Sequence, residues 1–181
     1  MERKRLREII YEKSYREGEF TLSSGKKSLY YFDLKQTTLN GEGVYLIVKL
    51  FFALLPEDIK AVGGLTMGAD PLSSGLSLFS FMQGRKVHAF YVRKEPKPHG
   101  TSKWIEGTEN LSRGDKVYIL EDVVTTGASG MRAVEAAREA GLVVKGVLAV
   151  VDREEGGGEV FMKNGLELKA LFSRTEITQG I

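Results

Sequence analysis

The sequence contains no cysteine. Disulfide frameworks, thiol nucleophiles and cysteine-ligated zinc are excluded with it. A cysteine-free chain fits a reducing compartment. Histidine is nearly as scarce. His88 and His99 are the only two, too few for a multi-histidine metal centre. Long apolar runs are missing as well. The most hydrophobic stretch, residues 44–55, is interrupted by Lys49 and falls far short of the roughly 20 residues needed to cross a bilayer. The first residues, Met-Glu-Arg-Lys-Arg-Leu-Arg-Glu, carry charge where a signal peptide carries an apolar region. A cytoplasmic protein is the expectation. Neither sign of charge dominates: 26 Lys and Arg stand against 24 Asp and Glu, a net charge of +2. That balance argues against a general polyanion-binding surface but leaves room for a local basic site.

What is present is ordinary globular composition, 42% hydrophobic and 28% charged, in a chain of 181 residues. At roughly 150 residues per domain this is one domain, long enough to bury a core without staples. Glycine is enriched, 21 of 181, and gathers at segment junctions where backbone approaches something closely.

Periodicity predicts an amphipathic helix over 2–17, with Leu6, Ile9 and Ile10 on one face. Two short strands around Ser23-Ser-Gly-Lys-Lys27 follow. Asn40 is placed to cap a helix running to about Leu55 before Pro56. Strands and helices then alternate. Strands are expected over 61–65, 87–92, 116–122, 143–151 and 166–172. Helices are expected from an Asp70-Pro71 cap to near Gly84, and over 129–140 with Gly141 as the left-handed stop. Apolar strands alternating with helices imply a mostly parallel sheet covered on both faces. The stretch of roughly twenty residues between Val92 and Lys116 breaks the alternation, and a loop of that length in a compact domain is usually functional or disordered. Its content, Arg93-Lys-Glu-Pro-Lys-Pro-His-Gly-Thr-Ser-Lys103, marks it as functional.

The strongest chemical signal is the run from Val117 to Ser129. A strand ends in two adjacent carboxylates, Glu121 and Asp122. Val123, Val124, Thr125, Thr126, Gly127, Ala128 and Ser129 follow, and then a helix starts. Hydroxyls, backbone N–H groups and a helix N-terminus converge there into a phosphate cradle. Carboxylates beside a phosphate site serve to accept sugar hydroxyls or hold a metal, so the site suits a phosphorylated sugar. The bland alternative is an ordinary βα turn in which Ser129 caps the helix. A nucleotide-binding Walker loop and a dinucleotide fingerprint are both excluded by the spacing of the glycines.

This run resembles the 5-phosphoribosyl-1-diphosphate (PRPP) signature of the type I phosphoribosyltransferases. The resemblance implies that Glu121 and Asp122 bind the ribose hydroxyls and that residues 125–129 hold the 5′-phosphate. The basic run 93–100 resembles the mobile catalytic loop of the orotate phosphoribosyltransferases within that family. There Arg93, Lys94, Lys97 and His99 are expected to contact PRPP, with Lys97 and His99 catalytic. Such a loop neutralises charge growing on the leaving pyrophosphate and excludes water on closing. The run from Phe20 to Asp33 resembles the family's N-terminal hood, in which Tyr31 and Phe32 stand at the orotate-stacking positions, although a hairpin packing its aromatics inward fits the same residues. Asp152-Arg153 resembles the pair whose arginine binds the orotate carboxylate, and Thr125 by the same correspondence contacts the base. Alone, Asp-Arg carries little, and its bland reading is a surface salt bridge between Arg153 and Glu154 or Glu155.

Two departures stand out. Ser23 occupies a hood position where some members carry lysine, with Lys26 and Lys27 just beyond. Gly68, beside Thr66 and Met67, occupies a position in the pyrophosphate turn where some members carry lysine.

The resemblance thus implies an α/β fold with a mostly parallel central sheet flanked by helices and a small N-terminal hood. It implies one domain over 1–181, with the hood over about 1–40 and the mobile loop over about 93–110. It also implies Mg²⁺ held mainly through PRPP with no direct protein ligand, a homodimer sharing its catalytic loop, and no nucleic-acid or membrane partner. Two other readings remain at this point: a phosphoribosyltransferase acting on a purine, and a non-catalytic regulator of the same fold.

Overall fold

The computed structural model describes residues 1–21, 27–95 and 104–179. Helix α1 (Glu2–Ser14) buries Leu6, Ile9 and Ile10. Periodicity carries this helix to residue 17, but Tyr15 turns extended and opens strand β1 (Tyr15–Thr21). The Tyr15 ring packs on Phe32 at 5.2 Å between centroids, a cross-strand contact that outweighs continued helix. β1 pairs antiparallel with β2 (Lys27–Phe32), and the two form the hood's hairpin. A one-turn helix α2 (Lys35–Thr38) leads into α3 (Gly41–Leu54). Asn40 caps α3 as expected, accepting from the Gly43 N–H at 3.0 Å.

The body is a six-stranded sheet ordered β5-β4-β3-β6-β7-β8. Its strands are β3 (Ala61–Leu65), β4 (His88–Val92), β5 (Ile105–Glu106), β6 (Lys116–Val124), β7 (Val143–Asp152) and β8 (Leu168–Ser173). Every pairing is parallel except that of the two-residue β5. Helices α1, α3 and α4 (Asp70–Met82) cover one face; α5 (Ala128–Glu139) and α6 (Gly157–Lys163) cover the other. Alternation along the strands supplies both cores. Tyr118, Leu120, Leu148 and Val150 join the first, while Val117, Ile119, Val147 and Ala149 join the second. Phe51 and Phe161 anchor the two sides, both fully buried; a side chain of that kind contributes roughly 1.5–3 kcal/mol by burial. No helix among the described residues is long and apolar enough to cross a membrane.

Several local expectations shift. Asp70 lies inside the first turn of α4 and Ala69 takes the cap position, without a side-chain cap bond. β6 runs two residues past the carboxylate pair, because Val123 and Val124 still pair with Val151 and Asp152. The stretch after β4 is not wholly irregular: it contains β5 and a 3₁₀ turn, Thr108–Asn110. The chain end forms helix α7 (Arg174–Thr178), started by a capping box between Ser173 and Glu176. Gly141 adopts the expected left-handed conformation, φ 84°.

The sheet order positions the site. β3 and β6 are neighbours, yet β3 continues through α4 to β4 on one side and β6 through α5 to β7 on the other. The connections diverge and leave a crevice at the strands' carboxyl ends, where open α/β sheets bind ligands.

Candidate active site

Glu121 and Asp122 lie near the carboxyl end of β6, at the edge of this crevice. Successive strand residues face opposite sides, so the two carboxylates diverge. Glu121 Oε2 accepts from Ser129 Oγ at 3.1 Å. Its other oxygen, Oε1, is buried with no hydrogen-bond partner among the described residues. Burial, reinforced by the nearby Asp122 charge, pushes the Glu121 pKa up to about 8. Asp122 Oδ1 accepts from the Val123 N–H at 2.8 Å. Burial also raises the Asp122 pKa, against the pull of that N–H and of Lys35.

Asp122 faces the turn that follows β3. A Cβ built on Gly68 would come within 2.6 Å of Asp122 Oδ1. A side chain at position 68 would displace the Asp122 carboxylate from its present position.

Residues 125–129 form the turn that leads from β6 into α5. Gly127, φ 80°, takes the cap position of α5 and provides no side-chain cap bond. Ser129 does not cap the helix, because its hydroxyl is turned to Glu121. The first-turn N–H groups of α5 therefore have no side-chain cap. Thr126 is exposed and Thr125 half-buried. The turn is braced from β7's side: the Gly157 N–H donates to the Thr125 carbonyl at 3.1 Å. A Cβ at 157 would sit 2.3 Å from Val124 Cγ1 and 2.8 Å from the Thr125 oxygen, so only glycine permits this approach.

Arg153 follows β7, and its N–H donates to the Val124 carbonyl at 2.9 Å. The main chain thereby locks the arginine to the end of β6. It is not a surface residue, being 5% exposed. Its Nη2 lies 2.8 Å from Glu155 Oε1, and its guanidinium carbon lies 4.8 Å from the Tyr30 ring centroid.

The hood aromatics separate. Phe32 is buried against Tyr15 and Tyr30. Tyr31 is 39% exposed and packs on Phe20. Neighbours on a strand point to opposite faces, so Tyr31 and Phe32 do not form one stacking surface. Tyr31 is open to a ligand and Phe32 is core.

Arg93 and Lys94 lie at the root of the long loop. The Arg93 N–H donates to the Trp104 carbonyl at 2.9 Å, closing the loop's stem. Arg93 Nε donates to Glu106 Oε1 at 2.7 Å. Both residues line a cavity of about 570 Å³ with Thr66, Tyr91, Glu95 and Glu106, beside the turn that follows β3. Lys97 and His99 lie outside the described residues, as do Ser23 and Lys26. Lys27 opens β2 and is exposed.

Lys35, Tyr30 and Arg174 escaped the sequence reading as site residues, and Glu155 entered it only as a possible ion-pair partner of Arg153, the pair the structure forms. Lys35 pairs with Asp33 at 2.7 Å and interacts with Tyr31 and Asp122, which help to raise its pKa behind the main contribution from Asp33. Tyr30, Arg174 and Glu155 surround Arg153. Tyr30 Oη donates to Glu155 Oε1 at 2.9 Å, and Arg174 Nη1 donates to Tyr30 Oη at 3.4 Å. Tyr30 was accessible by alternation from Phe32, and Glu155 by its spacing from Arg153; Lys35 and Arg174 carried no local signal.

No family model matches the chain. Curated relatives do. The orotate phosphoribosyltransferase of Aquifex aeolicus is 49% identical over 181 residues, covering 98% of both chains. The solved orotate phosphoribosyltransferase of Mycobacterium tuberculosis superposes with TM-score 0.84 at 36% identity, covering 98% of this chain and 99% of its own. The same enzyme in complex with PRPP superposes with TM-score 0.80 at 34% identity, covering 98% and 99%. Adenine phosphoribosyltransferase of Trypanosoma brucei shares the fold at TM-score 0.69 with 15% identity, so the architecture alone does not choose the base. Full-length identity near one half does choose the family, and this chain belongs to the orotate phosphoribosyltransferases.

Proposed function

We propose that this chain transfers the 5-phosphoribosyl group from PRPP to orotate, giving orotidine 5′-monophosphate and pyrophosphate in de novo pyrimidine synthesis. One observation carries the reading. Two carboxylates, an uncapped helix N-terminus and a buried arginine converge on the adjoining ends of β6 and β7. They match the ribose hydroxyls, the 5′-phosphate and the base carboxylate in turn.

Ribose 2′- and 3′-hydroxyls donate to Glu121 and Asp122. The 5′-phosphate lies on Thr125, Thr126, Gly127, Ala128 and Ser129, stabilised by the α5 dipole. The orotate carboxylate takes the planar fork of Arg153, which suits it bidentately. Thr125 touches the base from below and Tyr31 from the hood. Orotate N1 attacks C1′ of PRPP, and the C1′–O bond to pyrophosphate breaks. Deprotonated orotate is already nucleophilic, so the protein's task is to position the reactants and neutralise the leaving group. Arg93, Lys94, Lys97 and His99 perform the second task, with Lys97 foremost.

PRPP would carry Mg²⁺, held mainly through its own oxygens. Glu121, whose Oε1 has no hydrogen-bond partner among the described residues, and Asp122 are assigned to the ribose hydroxyls, so the pyrophosphate oxygens are left as the hard donors this ion prefers. When bound, the ion offsets the charge of the pyrophosphate. We also infer a homodimer that shares the catalytic loop. Leu78, Phe81 and Met82 on α4 are 64%, 69% and 71% exposed, and their spacing sets them on one helix face. The cysteine-free composition supports placing the protein in the cytoplasm.

The test is base selectivity. Supplied with PRPP and Mg²⁺, the protein is expected to convert orotate to a nucleotide and to leave uracil, adenine and guanine unchanged. Nucleotide formed from a purine, with orotate untouched, overturns the reading.

A further inference from the structure

Arg153 is a buried cation that already has a carboxylate partner. The Arg153 side chain is 6% exposed and Glu155 33%, with 2.8 Å between Nη2 and Oε1. Tyr30 Oη donates to the same Glu155 oxygen at 2.9 Å and holds it in place. The Tyr30 ring lies against the guanidinium as well. Yet the fork is only partly used. Arg153 Nε is buried without a hydrogen-bond partner among the described residues. A guanidinium is best satisfied by a carboxylate that takes two of its N–H groups side by side.

We propose that Glu155 is a specificity-determining residue whose carboxylate occupies Arg153 in the free protein and is displaced by the carboxylate of the base. The inference rests on the assignment of Arg153 to the orotate carboxylate. Its physical basis is the cost of leaving a buried charge unpaired. Without Glu155, the empty site would hold an uncompensated guanidinium. With it, binding becomes an exchange of one carboxylate for another. The incoming group gains the Nε edge that Glu155 leaves open, while Glu155, one-third exposed, moves toward water. Tyr30 sets how firmly the internal carboxylate is held.

The experiment compares two nucleotides that differ only in the base carboxylate, orotidine 5′-monophosphate and uridine 5′-monophosphate. Affinities are measured by calorimetry on the full chain. In Glu155→Gln, orotidine 5′-monophosphate is expected to bind about fivefold tighter, the order of magnitude for loss of a partly exposed ion pair. Uridine 5′-monophosphate is expected to bind unchanged. The KM for orotate falls with the KM for PRPP unmoved, a split that a merely structural role would not produce. Tyr30→Phe, which keeps the ring and removes the hydroxyl, moves orotidine 5′-monophosphate in the same direction by less. Arg153→Gln separates the two ideas. If it leaves discrimination between the nucleotides at the wild-type value, the assignment of Arg153 fails. If it abolishes discrimination while Glu155→Gln binds orotidine 5′-monophosphate no tighter than wild type, the exchange proposal alone is overturned.

Discussion

At the scale of single residues, the site's electrostatics turn on Glu121. Its pKa, pushed up to about 8 chiefly by burial, lies above the ordinary value of about 4.3 for an unfolded chain. Between those two values the folded state holds a proton that the unfolded state has released, so stability falls as pH rises through the window. Below it both states are protonated and the residue contributes nothing. Glu121→Gln is therefore expected to be more stable than wild type at pH 9 and equal to it at pH 4, as read by thermal unfolding. Ligand binding has the opposite preference, because ribose hydroxyls donate to an ionised carboxylate. PRPP binding at pH 7 should release protons, and affinity should rise from pH 6 to pH 8 in wild type but stay flat in Glu121→Gln. Calorimetry in buffers of different ionisation heat measures the release.

At the scale of elements, the loop after β6 depends on its neighbour after β7. Gly157 is the contact point, with Val124 and the Thr125 carbonyl too close for any side chain. Gly157→Ala is expected to push the cradle open, weakening PRPP binding about tenfold or more while the protein still folds; unchanged affinity would mean that the cradle does not rely on this brace. How much could be read beforehand follows from element length. The parallel strands were legible because both of their faces are apolar, and α3 because Asn40 announces it and Pro56 ends it. Helices α2, α6 and α7 span 4, 7 and 5 residues, too few to show a 3.6-residue period. For α7 another signal existed, the Ser173-to-Glu176 capping box. The same logic divides the site. Glu121 through Ser129 form one continuous run on one element junction and could be read directly. Lys35 and Arg174 reach the site by packing of the hood and the last helix, which no local pattern encodes. The pairing of Tyr31 with Phe32 went wrong for a backbone reason, since adjacent strand residues cannot share a face.

At the scale of the whole molecule, the exposed apolar row on α4 carries the proposed dimer. Phe81→Asp is expected to convert a species of twice the chain mass into a monomer in light scattering, and to reduce turnover with it if Lys97 serves the neighbouring site. A wild-type monomer with full activity would contradict the shared loop. The crevice between the diverging ends of β3 and β6 is the proposed place where sugar and base are joined. The most direct measurement is the loss of orotate absorbance with PRPP, with and without Mg²⁺, in wild type and Lys97→Ala. Mg²⁺-dependent turnover is expected, with one pyrophosphate released per orotate consumed, and a drop of about 100-fold in kcat for Lys97→Ala, the scale of losing one group that stabilises developing charge. A folded protein that binds PRPP and leaves orotate unconsumed would contradict the proposed function.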